Sequence, residues 1–233
     1  MQFIEKNSFN VRSAIYHLQK DGQGLEFILF PMIHIGSQEF YDNVSDRLAK
    51  CDLILAEGVD SRKASLLTRS YRIVKRIRRL DLVTQQEGMK VASFRDKLMN
   101  ADMEVRAFDE RWSSLPLALR AQIFFLVPVY VIYLFLFGTR ETIAENIAVE
   151  DLPSSNEVLL QDDDFDKLDA LFIDERDRRL IRNIANLDEA NGKDKKTVGV
   201  VFGAMHMRNV TSFLLYKLKY RVAKAEWVTV FDL

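Results

Sequence analysis

The sequence predicts an α/β fold, and three observations carry the prediction. Short apolar, β-favouring runs alternate with helix-spaced amphipathic segments near both ends of the chain. One run, CDLILAE at 51–57, is too apolar to alternate, as expected of a strand covered on both faces of a parallel sheet. The 233 residues are 48% hydrophobic, with 9 Gly, 4 Pro and 1 Cys. That composition supplies a core and excludes a disordered tail, a collagen-like fibre and a disulfide-stapled miniprotein. At roughly 150 residues per domain, the length fits one domain carrying an insertion. We therefore read residues 1–233 as a single domain, with an apolar insertion at 115–140.

Taken in order, SAIYHL and LEFILFPMI read as two strands of a β-hairpin, joined across Gln19 to Gly24, where Gly22 and Gly24 permit a tight turn. Ser37 is placed to cap a helix running to about Lys50, with Phe40, Val44 and Leu48 on one face. The strand CDLILAE follows and ends at Glu57. Leu66 to Leu80 has helical apolar spacing with Arg69, Arg72, Arg76 and Arg79 on another face, which suits a solvated helix, a membrane surface or an acidic partner. VRAF at 105–108 is a further short strand candidate. Phe165 to Ile184 is amphipathic, and Asn191-Gly192 marks a turn. TVGVVFGAMH is the most strand-like segment of all. A helix from about Asn209 to Lys219 and a strand in AEWVTVF complete a second strand, helix, strand unit.

Charge is balanced overall and uneven along the chain. The formal net charge of −1 argues against wholesale binding of nucleic acid, and no aromatic platform accompanies the basic residues. Between Ser61 and Leu80 there are eight basic residues and no acidic one, whereas Glu150 to Glu189 holds thirteen acidic and five basic residues. Between these blocks, the eighteen residues Ala121 to Gly138 carry no charge. That length reaches the lower limit of a membrane span, about 17 to 25 residues. The start of the chain has no apolar leader and Cys51 is the sole cysteine. Both point to a reducing compartment, on the cytoplasmic side of a membrane if the chain associates with one.

Only three histidines occur. His17 lies within the first hairpin strand and reads as a structural or surface residue. His34 and His206 each follow an apolar strand and precede a helix, so their strand ends are placed to converge on one cleft, with Glu57 at the end of a third. Imidazoles and a carboxylate suit a divalent ion, although a histidine at a strand end is more often a hydrogen-bonded structural residue. No HExxH, CxxC, GxGxxG or GxSxG motif is present.

The order FILFPMIHIGSQEFYDNVSDRLAKCDLILAEGV, ERDRRLIRNI and VVFGAMHMRNVTSFLLYKLKYRV resembles the TraB, pheromone-shutdown and GumN group, related to Tiki proteases and erythromycin esterases. Gly203-Ala204-Met205-His206 matches that group's second Gly-x-x-His, and Glu57 its strand-end acid. Glu175-Arg176-Asp177 matches its Glu-Arg-Asn helix with Asp177 in place of Asn. His34 keeps its position, while Pro31 stands where the first motif has Gly. Asp109, Arg111 and Arg120 align loosely with its middle Asp and Arg positions. The resemblance implies a mixed sheet of two halves with facing His motifs, and a hydrolase of peptides or small esters. It further implies a divalent metal (Mn, Co or Zn) held by His34, Glu57 and His206. Glu175 or Asp109 would be the general base, and Arg111 or Arg176 would stabilise the oxyanion. An erythromycin-esterase-like version would let His and Glu activate water without metal. The second function class is a non-catalytic, membrane-associated protein that binds or sequesters a peptide.

A single crossing by Ala121 to Gly138 would separate His34 and Glu57 from Glu175 and His206, so a span and a shared site are incompatible within one subunit. Pro128 favours a break. The segment is therefore expected to form a membrane-dipping hairpin, acting with 61–80, or a homo-oligomer interface. Its competitor is a buried core helix.

Overall fold

The structure, a computed structural model, describes residues 1–57, 80–101, 113, 116–118, 120–121, 125–126, 129, 132–133, 137–145, 175–190 and 194–233. The expected basic helix before Leu80, the strand at 105–108, Pro128 and the turn at 191–192 lie outside these residues.

The predicted hairpin forms from β2 (Asn10–Gln19) and β3 (Leu25–Met32), antiparallel and in register from Gln19 opposite Glu26 to Tyr16 opposite Leu29. Gly22, at φ +78°, occupies the left-handed region that the turn needs and that glycine adopts without steric penalty. Ser37 caps α1 (Gln38–Leu48), its hydroxyl accepting from the Phe40 N–H at 3.1 Å. The helix buries Phe40, Tyr41, Val44 and Leu48 as its spacing predicted. β5 (Leu53–Ala56) follows.

The element that organises the sheet is β8 (Lys196–Gly203). It lies between β3 and β5, parallel to both, in register from Leu25 opposite Lys196 to Met32 opposite Gly203 and from Leu53 opposite Val198 to Ala56 opposite Val201. β7 (Leu98–Asn100), not foreseen, extends the parallel half beside β5. On the antiparallel side, β9 (Arg221–Asp232) pairs along the length of β2, and β1 (Ile4–Lys6) pairs with residues 11–13 of the same strand. The result is a seven-stranded mixed sheet. A separate two-stranded pair joins β4 (Ile35–Gly36) to β6 (Val83–Thr84). The second strand, helix, strand unit thus does not close on itself: after β8 the chain crosses to β2.

Strand alternation divides the core into two layers. On one face Phe30, Met32, Ile54 and Val201 pack with α1. On the other, Phe27, Leu29, Leu55, Val198, Val200 and Phe202 pack with α3 (Glu175–Ala190) and α4 (Met207–Ser212) through Leu180, Ile184, Met207 and Val210. A one-residue slip of β8 would exchange Val200 and Phe202 for Gly199 and Val201, so the two-sided core fixes its register.

Proline 31 sits in β3 without breaking it. Its carbonyl accepts from the Ser13 hydroxyl at 2.7 Å, so its nitrogen, on the same side of the strand, also faces β2. The β2–β3 ladder has already ended at Leu29, and the missing N–H removes no pairing to β8.

Helical positions recur between 117 and 137, and residues 126 and 129, flanking the expected break at Pro128, are both helical. Phe125, Val129 and Phe137 are exposed there, which overturns the buried-core reading at these positions. No helix among the described residues is long and apolar enough to cross a membrane. α2 (Arg140–Glu145) follows and returns the chain to the core through Ile143 and Ala144.

Gly88 tests the packing of α1. A Cβ there would lie 2.3 Å from the ring of Tyr41, which is fully buried and held at its far end by a 2.8 Å bond from its hydroxyl to the Ile33 carbonyl. Gly88→Ala is expected to lower stability by about 1–3 kcal/mol through overpacking, measured as a fall in the urea midpoint at unchanged slope.

Candidate functional site

β3, β5 and β8 are parallel, so their carboxyl ends share one edge of the sheet, where loops and helix starts can assemble a site. Glu57, directly after β5, extends that ladder by donating its N–H to the Val201 carbonyl at 3.0 Å. β8 ends at Gly203 and turns into a short 3-10 segment, Ala204–His206, that leads into α4. α3 delivers Arg176 and Asp177 to the same place from across the sheet face.

The Glu57 carboxylate is held on both oxygens. Oε1 accepts from the Arg176 guanidinium, and Oε2 accepts from the Gly203 N–H at 2.7 Å. The two side chains are 18% and 12% exposed. Burial pushes the Glu57 carboxyl up, but Arg176, His206, the Gly203 N–H and His34 together outweigh it and hold the pKa below the ordinary glutamate value. A Cβ on Gly203 would meet nothing closer than Glu57 Oε2 at 3.5 Å. This site therefore uses the N–H of residue 203, which every residue but proline has, rather than the smallness of glycine.

His206 is buried, with its Nδ1 2.6 Å from Asp177 Oδ1. The second oxygen of Asp177 accepts from the Asn209 side-chain amide. An ionised carboxylate only accepts, so the proton between them belongs to Nδ1, and in the neutral form of the ring the lone pair is then on Nε2. The edge of the ring contact is fixed by Phe202, whose centroid lies 5.8 Å away in a T-shaped arrangement. Successive residues on one helix, Arg176 and Asp177, thus engage a carboxylate and an imidazole respectively.

Of the residues singled out from sequence, Glu57, Arg176 and His206 come together here. His34 is exposed, and its backbone carbonyl accepts from Gln85 N–H at 2.9 Å, while its charge reaches Glu57. Glu175 is the first residue of α3. Asp109 and Arg111 lie outside the described residues. His17 is structural, as read, with Nδ1 2.9 Å from Glu26 and Nε2 3.7 Å from Glu226. Asp177 and Asn209 were not foreseen as site residues. The signal for Asn209 was its place three residues after His206, one helical turn on; for Asp177 it was adjacency to Arg176.

The implied metal set was His34, Glu57 and His206. Among the described residues no group of three or more His, Cys, Asp or Glu side chains is arranged to hold a metal ion. Glu57, moreover, already shares its charge with Arg176 and its second oxygen with a backbone N–H. As arranged, these side chains do not fit a metal centre.

The chain matches no protein-family model, no curated protein and no solved structure. The site therefore rests on its own geometry.

Because the folded-state pKa of Glu57 is depressed, its ionisation stabilises the fold above the unfolded value, and that contribution is lost as pH falls through the folded value. Arg176→Met removes the main opposing cation and leaves the carboxylate buried with one partner. We expect a loss of about 1–3 kcal/mol at neutral pH. The acid limb of the stability profile should also move to higher pH, followed by denaturation across a pH series.

Proposed function

We propose that the chain is a hydrolase that adds water across a peptide or ester bond, with His206 as general base. The observation that carries this reading is the His206–Asp177 pair, set beside the Glu57–Arg176 pair at the carboxyl edge of the parallel strands. A buried carboxylate on Nδ1 does two things for such a base. It fixes the tautomer that leaves Nε2 able to accept a proton, and it stabilises the imidazolium that then forms.

In the proposed reaction, Nε2 removes a proton from a water as the water oxygen attacks the substrate carbonyl carbon. The tetrahedral intermediate collapses, the C–N or C–O bond breaks, and the proton on Nε2 passes to the leaving amine or alkoxide. Arg176, whose position is set by Glu57, is the candidate to stabilise the oxyanion. Glu57 serves here as a positioning residue. The resemblance to the TraB and Tiki group is consistent with this assignment of Glu57, Arg176 and His206. The reaction shares with its erythromycin-esterase-like version a histidine that acts on water without metal, and differs in leaving Glu57 to position Arg176.

A second reading, a peptide-binding or sequestering module without turnover, is favoured by one observation. Glu57 and Arg176 are closed on each other rather than directed at an open position, as an ordinary structural ion pair would be.

The full-length chain assayed on a mixed fluorogenic peptide pool and on p-nitrophenyl esters separates the two. We expect His206→Ala to lower the hydrolytic rate by about 10²–10⁴-fold and Asp177→Asn to lower it with a changed pH–rate profile. Chelator should leave the wild-type rate intact. No difference between wild type and His206→Ala on either substrate class would overturn the hydrolase reading in favour of binding. Loss of activity on chelation, restored by Mn, Co or Zn, would return His34, Glu57 and His206 to a metal role.

A further inference from the structure

The six side chains Phe125, Leu126, Val129, Ile132, Tyr133 and Phe137 are between 47% and 74% exposed. All six are helical positions, so the described residues between 125 and 137 present exposed apolar side chains on helical backbone. Isolated exposed apolar residues are ordinary, but a series of this kind marks a surface that something covers.

Topology limits what that can be. The strands β2, β3 and β5 precede the segment, and their partners β8 and β9 follow it. Both flanks therefore belong to one sheet and lie on the same side of any bilayer, so the segment makes no single crossing. Eighteen uncharged residues suffice for about one span and not for two.

Charge selects the partner. Close to the apolar segment the charge is balanced, with Asp109, Glu110 and Glu141 beside Arg111, Arg120 and Arg140, whereas 62–79 has eight basic residues and no acidic one. The two stretches are tied together at their ends. Arg140, two residues after Gly138, donates from Nε to the carbonyl of Leu80 at 2.7 Å, and Leu80 directly follows the basic run. Two-fold pairing with a second copy would bring these like charges toward each other, whereas an anionic surface complements them.

We propose that the exposed apolar side chains described between 125 and 137 dock, without crossing, onto an anionic lipid bilayer. Apolar side chains enter the headgroup boundary and the basic residues of 62–79 meet the lipid charge. This docking is independent of the hydrolytic reading.

The test is co-sedimentation of the full-length chain with vesicles of phosphatidylcholine alone and of phosphatidylcholine mixed equally with phosphatidylglycerol. The chain is expected to pellet with the mixed vesicles and not with phosphatidylcholine alone, and to be released by high salt. Phe125→Ser combined with Phe137→Ser, at two exposed positions that leave the core intact, should weaken this binding by about tenfold or more. Failure to pellet with mixed vesicles, equal pelleting with both kinds, or undiminished binding by the double variant would overturn the proposal. So would a dimer, measured by light scattering, that the double variant dissociates while vesicles bind neither protein. The comparison of the two vesicle types uses the unaltered chain, so it decides the matter even if the double variant misfolds.

Discussion

The pairing of β8 between β3 and β5 is the constraint on which the rest depends. Without it, the His34 and Glu57 strand ends and the His206 strand end are separated by more than a hundred residues of chain. With it, three parallel strands finish on one edge, and Glu57 becomes a neighbour of both Gly203 and His206. The pairing is enforced from both faces: Val198, Val200 and Phe202 belong to one core layer and Val201 to the other. Gly199 lets α1 approach closely, since a Cβ there would stand 3.0 Å from Leu48 Cδ2 and 3.2 Å from Cys51 Sγ. The hydrophobic core thus sets the geometry of a polar site that it meets at the Phe202–His206 contact.

Within that site, consecutive residues on α3 do different things. Arg176 neutralises Glu57, which permits a carboxylate to remain ionised despite burial; Asp177 orients His206. The two pairs are linked by backbone, because Glu57 also holds the N–H of Gly203, three residues before His206. A shift of α3 along its axis would disturb both at once. Asp188, in the last turn of the same helix, opposes such a shift: it is buried, bonded to Tyr220 at 2.7 Å and 3.2 Å from Lys20 of the hairpin turn. Helix position and site geometry are therefore one problem, solved by polar contacts at both ends of α3.

Much of the local structure was legible from sequence, for identifiable reasons. The turn at Gly22, the Ser37 cap, the 40-44-48 face of α1 and the apolar runs of β5 and β8 are each encoded within a few residues. What was not legible is long-range. Nothing local in AEWVTVF says that β9 pairs with β2 rather than closing a unit with β8, and LMN at 98–100 is too short to announce β7. The site divides in the same way. Glu57 and His206 stood out as polar residues ending apolar runs, whereas Asp177 was seen only as a substitution in a motif, since its partner lies 29 positions away. The metal role drawn from resemblance required His34, Glu57 and His206 to present themselves together, and the Arg176 pairing gives Glu57 another occupation. The apolar segment shows the converse: its uncharged length suggested a span, the expected convergence of the strand ends argued against a single crossing, and the sheet topology around it gives that argument its structural ground.

The account turns on whether Asp177 holds His206 with its proton on Nδ1 and its lone pair on Nε2. Long-range ¹⁵N–¹H correlation of the histidine rings measures this directly, with His206 assigned through His206→Gln. The account predicts a neutral His206 protonated at Nδ1 in the wild type, with that pattern altered in Asp177→Asn while the spectra of His17 and His34 stay as they were. A His206 protonated at Nε2, or one indifferent to Asp177→Asn, would contradict it.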